Sequence, residues 1–128
     1  DASTDETAVF SGVLPRHYAG GGITVALIWA ASSATSGTVR WDVSIERQAD
    51  EGQDLDSDGF ASAQSAGGTA PGTSGMLQYT AITFTDGADM DNVAAREPFI
   101  LRVGRLPSDA GDNMTGDAEL WTPIIKET

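Results

Sequence analysis

The chain contains no cysteine. Disulfides, zinc–thiolate centres and thiol catalysis are therefore excluded. It has one histidine, His17, which is too few for a multi-histidine metal site. Lys126 is the only lysine, and seven bases in all face 19 carboxylates, for a formal net charge of −12. Such a surface repels phosphate backbones and anionic bilayers, so neither nucleic acid nor a membrane is an expected partner. No apolar run approaches the roughly 18 residues that a membrane-spanning helix needs. The most apolar stretch, residues 23–31 (ITVALIWAA), is short and flanked by glycine and serine. The chain opens at Asp1 and shows no signal-peptide pattern.

What is present is a β pattern. Clusters of glycine, serine, threonine and aspartate punctuate the 128 residues, with short runs of period-two character between them. The first run is Thr7 to Leu14 and the second is Gly22 to Ala31, with Ile23, Val25, Leu27 and Trp29 on one face. The third, Thr38 to Gln48, sets Val39, Trp41, Val43 and Ile45 against Arg40, Asp42, Ser44 and Glu46, as a strand with one wet face does. Runs two and three are expected to pair as a hairpin through residues 32–37. A polar stretch, Ala49 to Gly75, reads as one long loop, with an edge strand or helical turn near Phe60 to Ser65. The fourth run is Leu77 to Thr85. Leu77, Tyr79 and Ala81 alternate, then Ile82 and Phe84 continue in the opposite phase, so a bulge is expected near Ala81. Ala88 to Ala95 reads as a short helical turn. The fifth run, Pro98 to Arg105, points Phe99, Leu101 and Val103 inward. The last, Ala118 to Lys126, contains Pro123 and so belongs at a sheet edge. Together these runs describe one all-β domain over residues 1–128, an antiparallel β-sandwich. A jelly roll is expected ahead of an immunoglobulin-like arrangement. Much of the 40% hydrophobic content is alanine, so the core should be thin, or completed by a partner subunit.

Few residues suggest chemistry. Asp54, Asp56, Asp58 and Gly59 match the start of a calcium loop. Phe60 would offer its carbonyl there and Ser62 a bridging water. Ser65 stands where a bidentate glutamate normally closes the shell, and the flanking helices are absent. The same residues read more readily as a solvated acidic loop, and no other cofactor is expected. The pairs Asp42 with Glu46 and Asp89 with Asp91 are the candidate carboxylate pairs for glycoside hydrolysis, but they lie on a wet strand face and in a turn. His17 lacks a serine in a nucleophile-elbow context, and Gly20-Gly21-Gly22 lacks the lysine and following helix of a phosphate loop. No enzyme is expected. Trp29 and Trp41 lie in phase with aliphatic neighbours and belong to the core. Trp121 does not, so it is the aromatic expected to be exposed or held in an interface, or to serve a sugar platform with Tyr18 and Tyr79. His17 and Tyr18 are further candidates for interface contacts.

Residues 5–47 (DETAVFSGVLPRHYAGGGITVALIWAASSATSGTVRWDVSIER) resemble a family of small proteins encoded among the virion genes of tailed bacteriophages. Residues 81–92 (AITFTDGADMDN), 98–106 (PFILRVGRL) and 115–128 (TGDAELWTPIIKET) resemble the same family. The resemblance implies a jelly roll on the virion, most often a trimeric capsid decoration (cement) protein. Such a protein binds the outer face of the major capsid protein and stabilises the particle. Other members of this class belong to tails or receptor-binding tips, which makes a host glycan or surface protein the alternative partner. If an arm precedes Asp1, it would extend onto a neighbouring subunit. The resemblance assigns no functional residues.

Overall fold

A computed structural model describes all residues of the chain, 1–128. Seven strands form it: β1 (Thr7–Val13), β2 (Ile23–Ala31), β3 (Thr38–Arg47), β4 (Gln64–Thr69), β5 (Leu77–Phe84), β6 (Pro98–Arg105) and β7 (Ala118–Glu127). A single 3₁₀ turn, Ala88–Met90, is the only helical element. The strands make two antiparallel sheets, β1-β6-β3-β4 and β5-β2-β7, which pack as a β-sandwich.

The pairing is nested. β3 pairs with β4, β2 with β5, and β1 with β6. This is a long hairpin rolled up on itself, the winding of a jelly roll. An immunoglobulin-like sandwich would put β7 beside β6; here β7 lies beside β2. One side of the sandwich closes where β4 meets β5. Gly68 of β4 makes that approach possible, because a Cβ there would come within 2.1 Å of Thr80 Oγ1 and 2.9 Å of the Trp29 ring.

The core lies between the sheets. Val25, Leu27 and Trp29 of β2 meet Val39, Trp41 and Val43 of β3 and Leu101 and Val103 of β6, all buried. The Trp29 and Trp41 rings pack edge to face, with centroids 5.8 Å apart. Trp29 Nε1 donates to Thr80 Oγ1 (2.9 Å), so its polar atom is satisfied. Beneath the core, Arg105 donates to both carboxylate oxygens of Asp112 (2.9 and 2.8 Å) and to the Met114 and Gly116 carbonyls. Both partners of this ion pair are almost wholly buried. Asp112 also accepts the Arg40 backbone N–H. Burial pushes the Asp112 carboxyl upward, but Arg105 and the Arg40 amide together hold it below its ordinary value.

Four expectations need correction. Strands β2 and β3 are not a hairpin; residues 32–37 carry the chain from one sheet to the other. Both strands bury one apolar face, and the two faces meet across the core instead of side by side. Residues 64–69 form β4 inside what reads as loop. Their glycines are poor strand formers and are kept because the neighbouring sheet leaves no room for a side chain. β5 has no bulge: its register against β2 is unbroken from Leu77 to Phe84. Thr80, not Ala81, joins Ile82 and Phe84 on the inner face. Finally, Glu46 is not on a wet face. It is buried, as the long loop turns back over the outer side of β3.

Candidate interaction surface

The two outer faces of the sandwich differ. The β1-β6-β3-β4 sheet carries Arg40, Asp42, Glu46 and Arg102 on its outside, and the loop after β3 lies across part of it. Ala61 N–H donates to the Ile45 carbonyl (2.9 Å). The Phe60 ring stacks under the Arg102 guanidinium, 4.5 Å from it. Ser44 is buried beneath, and its hydroxyl has no partner. Asp42 is half-buried there; burial raises its carboxyl, and the Arg102 charge opposes the rise.

The β5-β2-β7 sheet is bare. Opposite one another on its outer face stand Thr24 and Thr83, Ala26 and Ala81, Ile28 and Tyr79, and Ala30 and Leu77. β7 adds Thr122, Ile124 and Lys126 on the other flank. Leu77 is 56% exposed, Tyr79 59% and Ile124 46%. In a chain of net charge −12, only Glu119 and Lys126, at opposite ends of β7, charge this face. A largely uncharged, exposed apolar face on a strongly acidic domain is a candidate contact surface.

Trp121 stands at its margin. The β2–β7 register shifts between Ile28 and Trp29: Ile28 faces Thr122, whereas Trp29 faces Leu120. Trp121 is therefore the extra residue of a β-bulge, and it is 77% exposed. Trp121 already alternates out of the core phase that Leu120 keeps, and the bulge brings Thr122 and Ile124 onto the outer face.

His17 and Tyr18 sit at the far end of β7, where a cleft of about 170 Å³ is lined by His17, Tyr18, Ile23 and Ile125. His17 is exposed. Tyr18 is largely structural: its hydroxyl donates to Asp86 Oδ1 (2.6 Å) and accepts the Gly22 N–H (3.0 Å). Burial, then the bond to Asp86, pushes its pKa up to about 12. It thereby holds the glycine turn that enters β2. Gly22 adopts φ +79°, and a Cβ there would meet the Phe84 carbonyl at 2.3 Å, so this turn serves chain reversal. The structure thus places Trp121, His17 and Tyr18 along one edge of the molecule, that of β7.

The acidic loop sits apart, beyond the end of β3. Asp58 Oδ2 accepts the Asp54 N–H (2.7 Å), Asp54 Oδ1 accepts the Asp56 N–H (3.1 Å), and the Asp54 carbonyl accepts from Ser57 and Asp58. These carboxylates close the loop on its own backbone. They are not gathered into a group of three acids that could hold a metal ion, and Phe60 is turned to Arg102. Leu77 and Ile28, at the centre of this face beside Tyr79, are candidate contact residues that the sequence did not single out, whereas Tyr79 is already a candidate for an aromatic platform. The signal was there: an apolar alternation in β5 out of phase with Ile82 and Phe84.

No protein-family description, curated protein or solved structure matches this chain.

Proposed function

We propose that the protein is a structural binding domain of a phage virion, a capsid decoration protein that attaches by the outer face of β5-β2-β7. One observation carries the reading: Leu77, Tyr79 and Ile124 form an uncovered and nearly uncharged face on a domain of net charge −12. The jelly-roll winding and the resemblance of residues 5–47 to phage virion proteins support the same reading. Attachment to the major capsid protein would bury the apolar face. The acidic remainder would face solvent and keep particles apart. Three strands about 4.8 Å apart and some 27 Å long give a flat footprint of only about 400 Å², below the roughly 800 Å² per partner of a standard interface. A trimer that presents three such faces together reaches useful strength by avidity.

The test is reconstitution. Particles stripped of the protein should lose heat resistance and regain it with wild-type protein. They should not regain it with a Leu77→Asp/Tyr79→Asp variant of unchanged fold. Stripped particles as robust as complete ones would refute the cement role.

A second reading rests on Tyr79 and Trp121, exposed on the two strands that flank β2 and so about 10 Å apart. Such a pair suits a glycan-binding platform at a tail or capsid surface. Glycan-array hits lost on Trp121→Ala would favour it over capsid attachment.

A further inference from the structure

The nested winding leaves one strand without its partner. β3·β4, β2·β5 and β1·β6 are complete pairs, and β7 has a neighbour only on its β2 side. A jelly roll has eight strands; the vacant place lies beside β7, on the side of the sandwich opposite the β4–β5 closure. Two clefts occupy that side. One, of about 430 Å³, is lined by Ala8 of β1, Trp41, Val103, Arg105, Ala118 and Leu120. The other, of about 170 Å³, lies at the far end against Ile125. Trp41 is 3% exposed, and its indole N–H has no hydrogen-bond partner. A buried donor without an acceptor is costly, and here it belongs to a residue that lines an open cleft.

The edge itself is readable. Thr128 N–H donates to the Gly22 carbonyl (3.0 Å), and hydrogen-bonded pairs alternate along an antiparallel ladder. Lys126, Ile124 and Thr122 therefore turn their backbone groups to β2. Glu127, Ile125 and Pro123 turn theirs to the open edge. Pro123 removes one donor from that row, and the Trp121 bulge interrupts it. These devices discourage pairing of two identical β7 edges, and so does the charge of −12 on each copy. The wider cleft is lined by Asp1 and Glu6, with Asp117 beside Asp1, and its one base, Arg105, is already paired with Asp112; the narrow end holds Lys126 and His17 beside Glu127.

We propose that this open side accepts an extended segment of another polypeptide, with lysine or arginine toward its C-terminal end. That segment pairs antiparallel with the free edge of β7 as an eighth strand. Antiparallel pairing brings its C-terminal end to the wide cleft and the acids, its inward side chains fill the two clefts, and a carbonyl meets the Trp41 N–H. This is strand addition, at a surface distinct from the outer face of β5-β2-β7.

The probe is a peptide of about ten residues, the length of β7, alternating valine and threonine and ending in two arginines. It is titrated into the ¹⁵N-labelled full chain, with hydrogen exchange read by NMR. The expected result is slowed exchange at the Ile125 and Glu127 amides and a moved Trp41 indole N–H resonance. Ile125→Pro, which removes only an open-edge donor, should weaken binding about tenfold or more. Should that variant fail to fold, Ala8→Leu fills the wide cleft instead and should block the peptide. The proposal is overturned by any of three results: no saturable change at millimolar peptide, shifts confined to Leu77 and Tyr79, or equal binding by a proline-interrupted peptide of the same composition.

Discussion

Tyr79 of β5 stands directly opposite Ile28 of β2, and both point away from the core. Tyr79 is 59% exposed and Ile28 only 6%, because the flanking strands cover Ile28 from both sides. Ile28 is the buried floor of this face, and the exposed side chains beside it, Leu77 and Tyr79, contribute little to folding of the isolated chain. Leu77→Asp and Tyr79→Asp should therefore each change stability by no more than about 0.5 kcal/mol while abolishing attachment. Thermal denaturation beside a particle-binding assay separates the two effects.

The closed side of the sandwich gives a sharper stability test. Thr80→Val keeps the shape of the side chain but leaves the Trp29 N–H buried without its acceptor. The expected cost is about 1–3 kcal/mol. Gly68→Ala should cost a similar amount by overlap with Thr80 Oγ1 and Trp29. The two sites share one space, so the double variant Gly68→Ala/Thr80→Ala should lose less than the sum of its single variants. Urea denaturation of the four proteins measures this coupling.

How far such features could be read in advance depended on whether one strand or two were needed to see them. The alternations in β3 and β6 located Val39, Trp41, Phe99 and Leu101 in the core, because each strand carries its own wet and dry faces. Pro123 marked β7 as an edge, and Trp121 departed from the phase of the core on its own strand. β4 was hidden because Gly67 and Gly68 are chosen by the opposite sheet. Leu77 and Tyr79 resembled a slipped register because an apolar outer face breaks the rule that outward residues are polar. Whether residues 32–37 turn a hairpin or cross between sheets depends on the winding of the whole chain.

Asp112 and Glu97 link stability to pH. Arg105 and the Arg40 amide hold the Asp112 carboxyl low against burial, and the Arg47 guanidinium holds that of Glu97 low through a 2.7 Å bond from Nε. Both pKa values are depressed on folding. Their contribution is thus complete above the ordinary carboxylate range and is lost as pH falls through it. The melting temperature should be flat from neutrality to about pH 5 and fall below about pH 4. Asp112→Ala, which strands the Arg105 charge in the interior, should cost about 3–5 kcal/mol at neutral pH. It should also remove part of the acid sensitivity.

The acidic loop makes a separate prediction. Asp58 accepts the Asp54 N–H and closes the turn, so Asp58→Ala should speed amide exchange at Asp54 and Asp56 equally with and without calcium. A loss of protection seen only in calcium would instead establish a calcium loop at Asp54, Asp56 and Asp58.

The central claim is that the outer face of β5-β2-β7 is the attachment surface. A cryo-electron microscopy map of particles reconstituted with this protein, on the proposal that it belongs to a phage virion, tests it most directly. The account predicts copies on the capsid exterior with Leu77, Tyr79 and Ile124 buried against a capsid subunit. Copies that leave this face open to solvent, or a particle that contains none, would contradict it.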